Sequence, residues 1–144
     1  MAERSKTSMP SRRKARKRAL DVLYEADVRG LPPTQVLESY LKRIAQPYPP
    51  HLPYTISLVE GVSRNLARID ELISTYAEGW TLERMPVVDR NLARIAVQEL
   101  LYVEEIDDAV AISEAVELAK QMSTDDSPRF LNGVLARIAE FTPH

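Results

Sequence analysis

Cysteine is absent from this chain of 144 residues, and histidine occurs only twice, at His51 and His144. Without cysteine the chain has no disulfide, no thiolate nucleophile and no cysteine-ligated metal, and this usage fits a reducing compartment. Two histidines assemble neither a histidine-based catalytic triad nor a histidine-rich metal cluster. We therefore expect a cytoplasmic protein without a metal site.

Glycine and long apolar runs are also scarce. The four glycines are isolated from one another, so neither a phosphate-binding loop nor a dinucleotide fingerprint is present. No apolar stretch approaches the roughly 18 to 20 residues of a membrane-spanning helix, and the basic start is not followed by the apolar segment of a secretory signal. The sequence predicts no cofactor, no catalytic residue and no membrane association.

Strand patterns are missing too, because no segment alternates polar and apolar residues between hairpin turns. Helical periodicity instead predicts an all-α fold of about seven helices. The first helix runs over 11–28, Thr34 caps the second, a proline-rich loop follows at 46–53, and a third helical pattern from Tyr54 bends near Asn65. Pro86 opens a long buried helix, and Ser127 with Pro128 starts the last one. We expect a disordered basic tail over 1–10, an N-terminal helical bundle over 11–78 and a C-terminal bundle over 79–144.

The net charge of −2 hides an uneven distribution. The first 18 residues hold eight lysines and arginines against one acid, Glu3, whereas the remaining 126 residues hold 11 basic and 20 acidic side chains. These eight cations are Arg4, Lys6, Arg12, Arg13, Lys14, Arg16, Lys17 and Arg18. A basic arm of +7 on an acidic body of −9 indicates a polyanion or an acidic surface as a partner.

The first helix gives these cations a common face. At helical spacing Arg13, Lys17, Leu20 and Tyr24 share one strip, with Arg16 beside it. Cations at a helix N-terminus oppose the macrodipole, so an anion should compensate them. Phosphate-binding cations beside an aromatic ring suit single-stranded RNA, whereas the alternative is a solvated helix start that merely keeps the protein soluble.

Four further residues, in three places of the sequence, allow more than one interpretation. Arg129 and Phe130 lie on the first turn of the last helix, where an anion is favoured, although Phe130 also fits helix packing. Gly133 indicates close approach by another backbone or by a ligand. Glu99 falls inside the apolar stripe of the long helix, which favours pairing with an arginine of a neighbouring helix over catalysis.

Five segments together resemble the NusB family of bacterial transcription antitermination factors. They are RRKAR at 12–16, ALDVLY at 19–24, VDRNLARIA at 88–96 followed by Glu99 and Leu100, AISEAVELAK at 111–120, and DSPRFLNGVL at 126–135. These segments span most of residues 11–138, and the last two are the most specific. The basic run departs from the family pattern because Arg4, Lys6, Lys17 and Arg18 extend it.

The resemblance implies two packed helical bundles and a non-enzymatic role. Proteins of this family bind the boxA element of nascent ribosomal RNA together with NusE, a ribosomal protein, and nucleate an antitermination complex on RNA polymerase. Position by position, the resemblance implies RNA contacts at Arg12, Arg13, Lys14 and Arg16, with Tyr24 on the same helix and Arg129 and Phe130 as a second patch. The helical spacing of the strip adds Lys17 to the expected RNA contacts. It implies NusE contacts at Asp89, Arg90, Arg94 and Asp126.

Two alternatives remain open at this point. In the first, the chain is a helical protein-interaction adaptor without specific RNA recognition. In the second, it forms a homodimer that covers its RNA face, as some family members do. NusB-like domains also occur attached to RNA methyltransferases, but the absence of a glycine-rich cofactor loop argues against methyl transfer.

Overall fold

A computed structural model describes residues 9–144, and within that range all regular secondary structure is helical. The helices are α1 (Met9–Arg29), α2 (Pro33–Arg43), α3 (Leu52–Arg64), α4 (Leu66–Tyr76), α5 (Val87–Tyr102), α6 (Asp108–Met122) and α7 (Ser127–Phe141), with a 3₁₀ turn at Leu82–Arg84. The prediction of an all-α fold with about seven helices is confirmed. Within residues 9–144, no helix is long and apolar enough to cross a membrane.

Prolines and glycines stand at several helix ends, as the sequence predicts. Gly30 and Gly79 have positive φ angles of 68° and 84° and follow the ends of α1 and α4. Two predicted caps are wrong by one or two residues. Pro32 caps α2 in place of Thr34, because Pro33 already has the φ angle of a first helical residue. Asp126 caps α7, and Ser127 is the first residue inside it.

The start of α1 also differs from the prediction. This helix begins at Met9, two residues before the expected start at residue 11. The rest of the predicted tail, residues 1–8, lies outside the described residues. The bend expected near Asn65 is present, because α3 ends at Arg64 and α4 begins at Leu66.

Helix α5 forms the centre of the molecule. It packs against five other helices, α1, α3, α4, α6 and α7. Ten of its residues are buried, which agrees with its predicted central place, and four of these, Asp89, Asn91, Gln98 and Glu99, are polar. The close contact with α3 depends on Gly61, where an added Cβ atom lies 2.3 Å from Nε2 of Gln98.

Helix α4 lies against α3, α5 and α7. Its apolar face makes these contacts, because Ile69, Leu72 and Ile73 are buried in the common core. The predicted boundary at residues 78 and 79 falls in the turn that follows α4, and the division into two bundles stays a prediction.

Candidate nucleic-acid interface

The N-terminal half of α1 presents a cationic face to solvent. Arg13, Lys17 and Tyr24 are exposed, as the helical spacing predicts, and Lys14 is exposed as well. Within the described residues, Lys14 and Lys17 have no ion pair, so both ammonium groups are available to an external anion. The predicted strip is wrong at Leu20, which is 1% exposed because it lies at the edge of the apolar arc and packs into the core.

Arg16 is buried rather than exposed, and this differs from its predicted place beside the cationic strip. Its side chain is 2% exposed, and Nε donates to both carboxylate oxygens of Glu99 at 3.0 and 2.9 Å. The hydroxyl of Tyr54 donates to the same carboxylate. Burial raises the pKa of Glu99, against the charge of Arg16 and the hydrogen bond from Tyr54. The interpretation of Glu99 as an inward partner of an arginine is therefore confirmed.

Arg12 and Arg13 also have acidic partners within the protein. Nη2 of Arg12 lies 3.1 Å from Glu105, and its guanidinium stands 4.5 Å from the centre of the Tyr54 ring. Arg13 donates from Nε and Nη2 to the two oxygens of Glu114 at 2.9 and 2.7 Å. This pairing holds the pKa of Glu114 below its ordinary value.

These contacts supply part of the anionic compensation that the helix start requires. Glu99 of α5, Glu114 of α6 and Glu105 of their connection place negative charges beside the cations at the N-terminus of α1. The three arginines thus differ in availability: Arg16 is enclosed, Arg12 is nearly enclosed, and Arg13 keeps about half of its side chain in solvent. Direct contact with a phosphate is open to Arg13, Lys14 and Lys17, while Arg16 fixes the position of the helix.

The second predicted patch lies in a cleft between the 3₁₀ turn and α7. This cleft has a volume of about 940 Å³, and Arg129, Phe130, Asp126 and Asp89 all line it. The structure thus brings together two residues assigned to RNA and two assigned to a protein partner. Gly133 lines the same cleft, and an added Cβ atom there meets only the Arg137 side chain, at 3.4 Å, and no backbone.

Two residues of this cleft, Trp80 and Arg84, were not predicted from the sequence to have a functional role. Trp80 is half-exposed and meets Phe130 edge to face, with ring centroids 6.1 Å apart. Arg84 is exposed on the 3₁₀ turn, and within residues 11–144 neither Arg84 nor Arg129 has an ion pair. The signal that was available is the presence of an aromatic and a cation, Trp80 and Arg84, four residues apart in the short connection before Pro86. Two rings and two unpaired cations suit a stacked base with its phosphate.

The residues assigned to a protein partner are mostly engaged inside the molecule. Asp89 is 3% exposed and accepts hydrogen bonds from Ser127, at 2.7 Å, and from Ser123. It therefore ties the start of α5 to the connection between α6 and α7. Asp126 is exposed at the rim of the cleft, so its carboxylate is the one in this set that solvent reaches freely.

Arg90 and Arg94 hold α5 against α1 and α4. Arg90 pairs with Asp27 through two hydrogen bonds of 2.7 Å, and Arg94 bridges Asp27 to Asp70. The hydrogen bond from Arg90 holds the pKa of Asp27 below its ordinary value, with Asn91 as a further donor. The charged side chains of Arg90 and Arg94 therefore serve mainly as links between helices.

Comparison with known proteins identifies the family of this chain. A model of the NusB family matches residues 13–140. The transcription antitermination protein NusB of Salinispora tropica is 75% identical over 133 residues, which cover 92% of this chain and 98% of that protein. The transcription antitermination protein NusB of Kineococcus radiotolerans is 56% identical over 132 residues, which cover 92% and 95%.

Solved structures give the same result. T. maritima NusB superposes with a TM-score of 0.80 at 37% identity and covers 90% of this chain and 91% of its own. A chain from a crystal structure of the antitermination factors NusB and NusE in complex with dsRNA superposes with a TM-score of 0.79 at 28% identity, covering 92% and 98%. The matched length, the sequence identity and the helical architecture lead to one conclusion: this chain belongs to the NusB family of transcription antitermination proteins.

Proposed function

We propose that this chain is a non-catalytic adaptor that binds the boxA element of nascent ribosomal RNA together with NusE and nucleates an antitermination complex on RNA polymerase. The observation that carries the proposal is the exposed face of α1, where Arg13, Lys14 and Lys17 lead to Tyr24. Support comes from the NusB structure solved with NusE and RNA.

The chemistry of this face suits single-stranded RNA. Ammonium and guanidinium groups neutralise phosphates and release counterions, and an exposed tyrosine ring stacks on an unpaired base. The cleft with Trp80, Phe130 and Arg129 provides a second place where a base and its phosphate can bind. Arg16 acts from behind this face by holding α1 in place through Glu99, and Glu105 covers Arg12.

The acidic body fits the second partner. Residues 19–144 carry a net charge of −9, and a basic ribosomal protein is the complementary surface. Asp126 is the exposed acid of the assigned set and lies in the same cleft as Arg129 and Phe130. A ribosomal protein bound at this rim lies next to RNA bound at the second patch, which predicts mutual stabilisation of the two partners.

The proposal is tested by fluorescence anisotropy with labelled boxA RNA and a scrambled RNA of equal length, each with and without NusE. We expect tighter binding to boxA, a further gain with NusE, and a decrease of log affinity with log salt at a slope of about −3 for about four phosphates. Equal affinity for both RNAs in the presence of NusE overturns the proposal. NusE binding without any RNA shift supports the alternative, a protein-interaction adaptor.

A second copy of this chain is the remaining predicted partner. Tyr24 and Val28 are both exposed, one helical turn apart on α1, so a second copy placed there covers part of the RNA face. Sedimentation over a range of protein concentrations, with and without boxA RNA, tests this. RNA that shifts a dimer to monomer supports competition between the two, whereas a monomer at all concentrations removes the dimer from the proposal.

A further inference from the structure

An acidic side chain from a distant part of the chain covers Arg12. The guanidinium of Arg12 stands 4.5 Å from the centre of the Tyr54 ring, and its side chain is 15% exposed. Glu105 lies 93 residues further along the chain, between α5 and α6, and its side chain is 66% exposed. Glu105 is thus the solvent-facing member of the pair, and Arg12 lies between this carboxylate and the ring.

Arg13 has a different arrangement, although it is the next residue. Its partner Glu114 is buried and also lies 3.4 Å from Nη1 of Arg16. Because Arg13 is about half exposed, it contacts an external phosphate while keeping Glu114. Arg12 has no such freedom: its Nη1 is buried without a hydrogen-bond partner, and its Nη2 is taken by Glu105.

We infer that Glu105 competes with RNA phosphates for Arg12 and thereby lowers the affinity of the basic face for RNA. A guanidinium binds carboxylate and phosphate with the same donors, so the two anions exclude each other at Nη2. An ion pair with a largely exposed partner is weak, so an RNA phosphate that reaches Nη2 of Arg12 displaces the Glu105 carboxylate. This inference rests on the proposed function, since it concerns RNA binding by the basic start of the same helix.

The connection between α5 and α6 offers a matched control. Glu104 is adjacent to Glu105 and exposed, and in the described part of the chain it has no ion pair. Of the other acids there, Asp108 contacts the His144 ring at 3.0 Å. Glu104→Gln and Glu105→Gln therefore remove the same charge from the same connection, and only the second frees Arg12.

The experiment measures the affinity of labelled boxA RNA for the wild-type chain and for both variants, with and without Arg12→Ala. We expect Glu105→Gln to bind RNA about twofold to fivefold more tightly, the range that a surface ion pair spans, and Glu104→Gln to gain less. In the Arg12→Ala background the two glutamine variants should gain equally, because Glu105 then has no arginine to occupy. Circular dichroism confirms that all variants are folded.

Equal gains for Glu104→Gln and Glu105→Gln in the wild-type background overturn the inference, because they show a general effect of charge. A Glu105-specific gain that persists with Arg12→Ala also overturns it. A folded wild-type chain that does not bind boxA RNA overturns the proposed function itself. Wild-type binding without a Glu105-specific gain overturns only the competition between Glu105 and phosphate.

Discussion

Arg16 of α1 and Glu99 of α5 form an ion pair of 2.9 Å in which both side chains are almost fully buried, at 2% and 1% exposure. The pair lies between the helix that carries the cationic face and the helix at the centre of the molecule. It links the orientation of the candidate RNA-binding surface to the core, and it explains why one arginine of a basic run points inward.

Removing one partner of this pair should destabilise the fold. Arg16→Met leaves the Glu99 carboxylate buried with only the Tyr54 hydroxyl as its partner, and an uncompensated buried charge costs about 3–5 kcal/mol. Arg29→Met, which removes the surface pair with Glu25, should cost at most about 1 kcal/mol. Urea denaturation measures both values.

The double variant Arg16→Met with Glu99→Met separates charge from packing. Two apolar side chains of similar volume leave no buried charge, so we expect it to be more stable than Arg16→Met alone. If Arg16→Met costs no more than Arg29→Met, the buried pair does not hold α1 in place. An alanine variant of Arg16 that loses RNA binding is interpretable only alongside its measured stability.

Lys14 and Lys17 should contribute to RNA affinity without contributing to stability. Each is exposed and has no ion pair among the described residues, so alanine at either position removes only a phosphate contact. We expect weaker binding, and a salt slope reduced by about 0.7 for each lost single-strand contact. Lys42→Ala, at an exposed lysine in the last turn of α2, is the control and should leave the slope unchanged. An unchanged slope for Lys14→Ala and Lys17→Ala would exclude this face.

The aromatic pair of the cleft should contribute through stacking. Phe130→Ala and Trp80→Ala should each weaken boxA binding by about 1–3 kcal/mol for a stacked base, with an unchanged salt slope because no charge is lost. Phe141, also exposed on α7, stacks on Tyr76 at 6.2 Å and supplies the control Phe141→Ala. Equal losses for Phe130→Ala and Phe141→Ala in a binding titration would count against the second patch.

Asp126 and Asp89 should separate partner binding from folding. Asp126→Asn changes an exposed charge and should weaken NusE binding in a salt-dependent manner while leaving the unfolding midpoint unchanged. Asp89→Asn disturbs the buried hydrogen bonds from Ser123 and Ser127 and should cost about 1–3 kcal/mol of stability. Calorimetric titration with NusE and urea denaturation measure the two effects; full NusE affinity in Asp126→Asn would remove that residue from the interface.

The two histidines should give opposite pH dependences of stability. Burial lowers the pKa of His51, with the charges of Lys14 and Arg18 acting in the same direction. The unfolded chain therefore binds more protons at His51, and stability falls as the pH drops through the ordinary value of about 6.5. Hydrogen bonds to Thr142 and Asp108 raise the pKa of His144, so its stabilisation is present below about 6.5 and is lost as the pH rises through the raised value.

Denaturation at about pH 7.5 and about pH 5.5 tests both signs in the range where histidine titrates. His51→Gln should lose less stability than the wild type on going to the lower pH, whereas His144→Gln should lose more. If His51→Gln follows the wild-type pH dependence, the buried imidazole is not the group that titrates.

Local patterns in the sequence determined a large part of this protein. Apolar spacing, prolines and glycines located the seven helices, because these signals act within a few residues. The concentration of cations before residue 19 and the position of Tyr24 marked the exposed face of α1 for the same reason. The stripe of α5 also showed that Glu99 points inward and needs a basic partner.

Only the tertiary structure decided which cations are available. Glu99, Glu105 and Glu114 lie 83, 93 and 101 residues after the arginines that they pair with, and no local pattern reports such distant partners. The aromatic cleft has the same origin, because Trp80 and Phe130 meet only when the 3₁₀ turn packs beside α7. Helical periodicity gives the direction of a side chain on its own helix, whereas burial and ion pairing depend on which helix lies opposite.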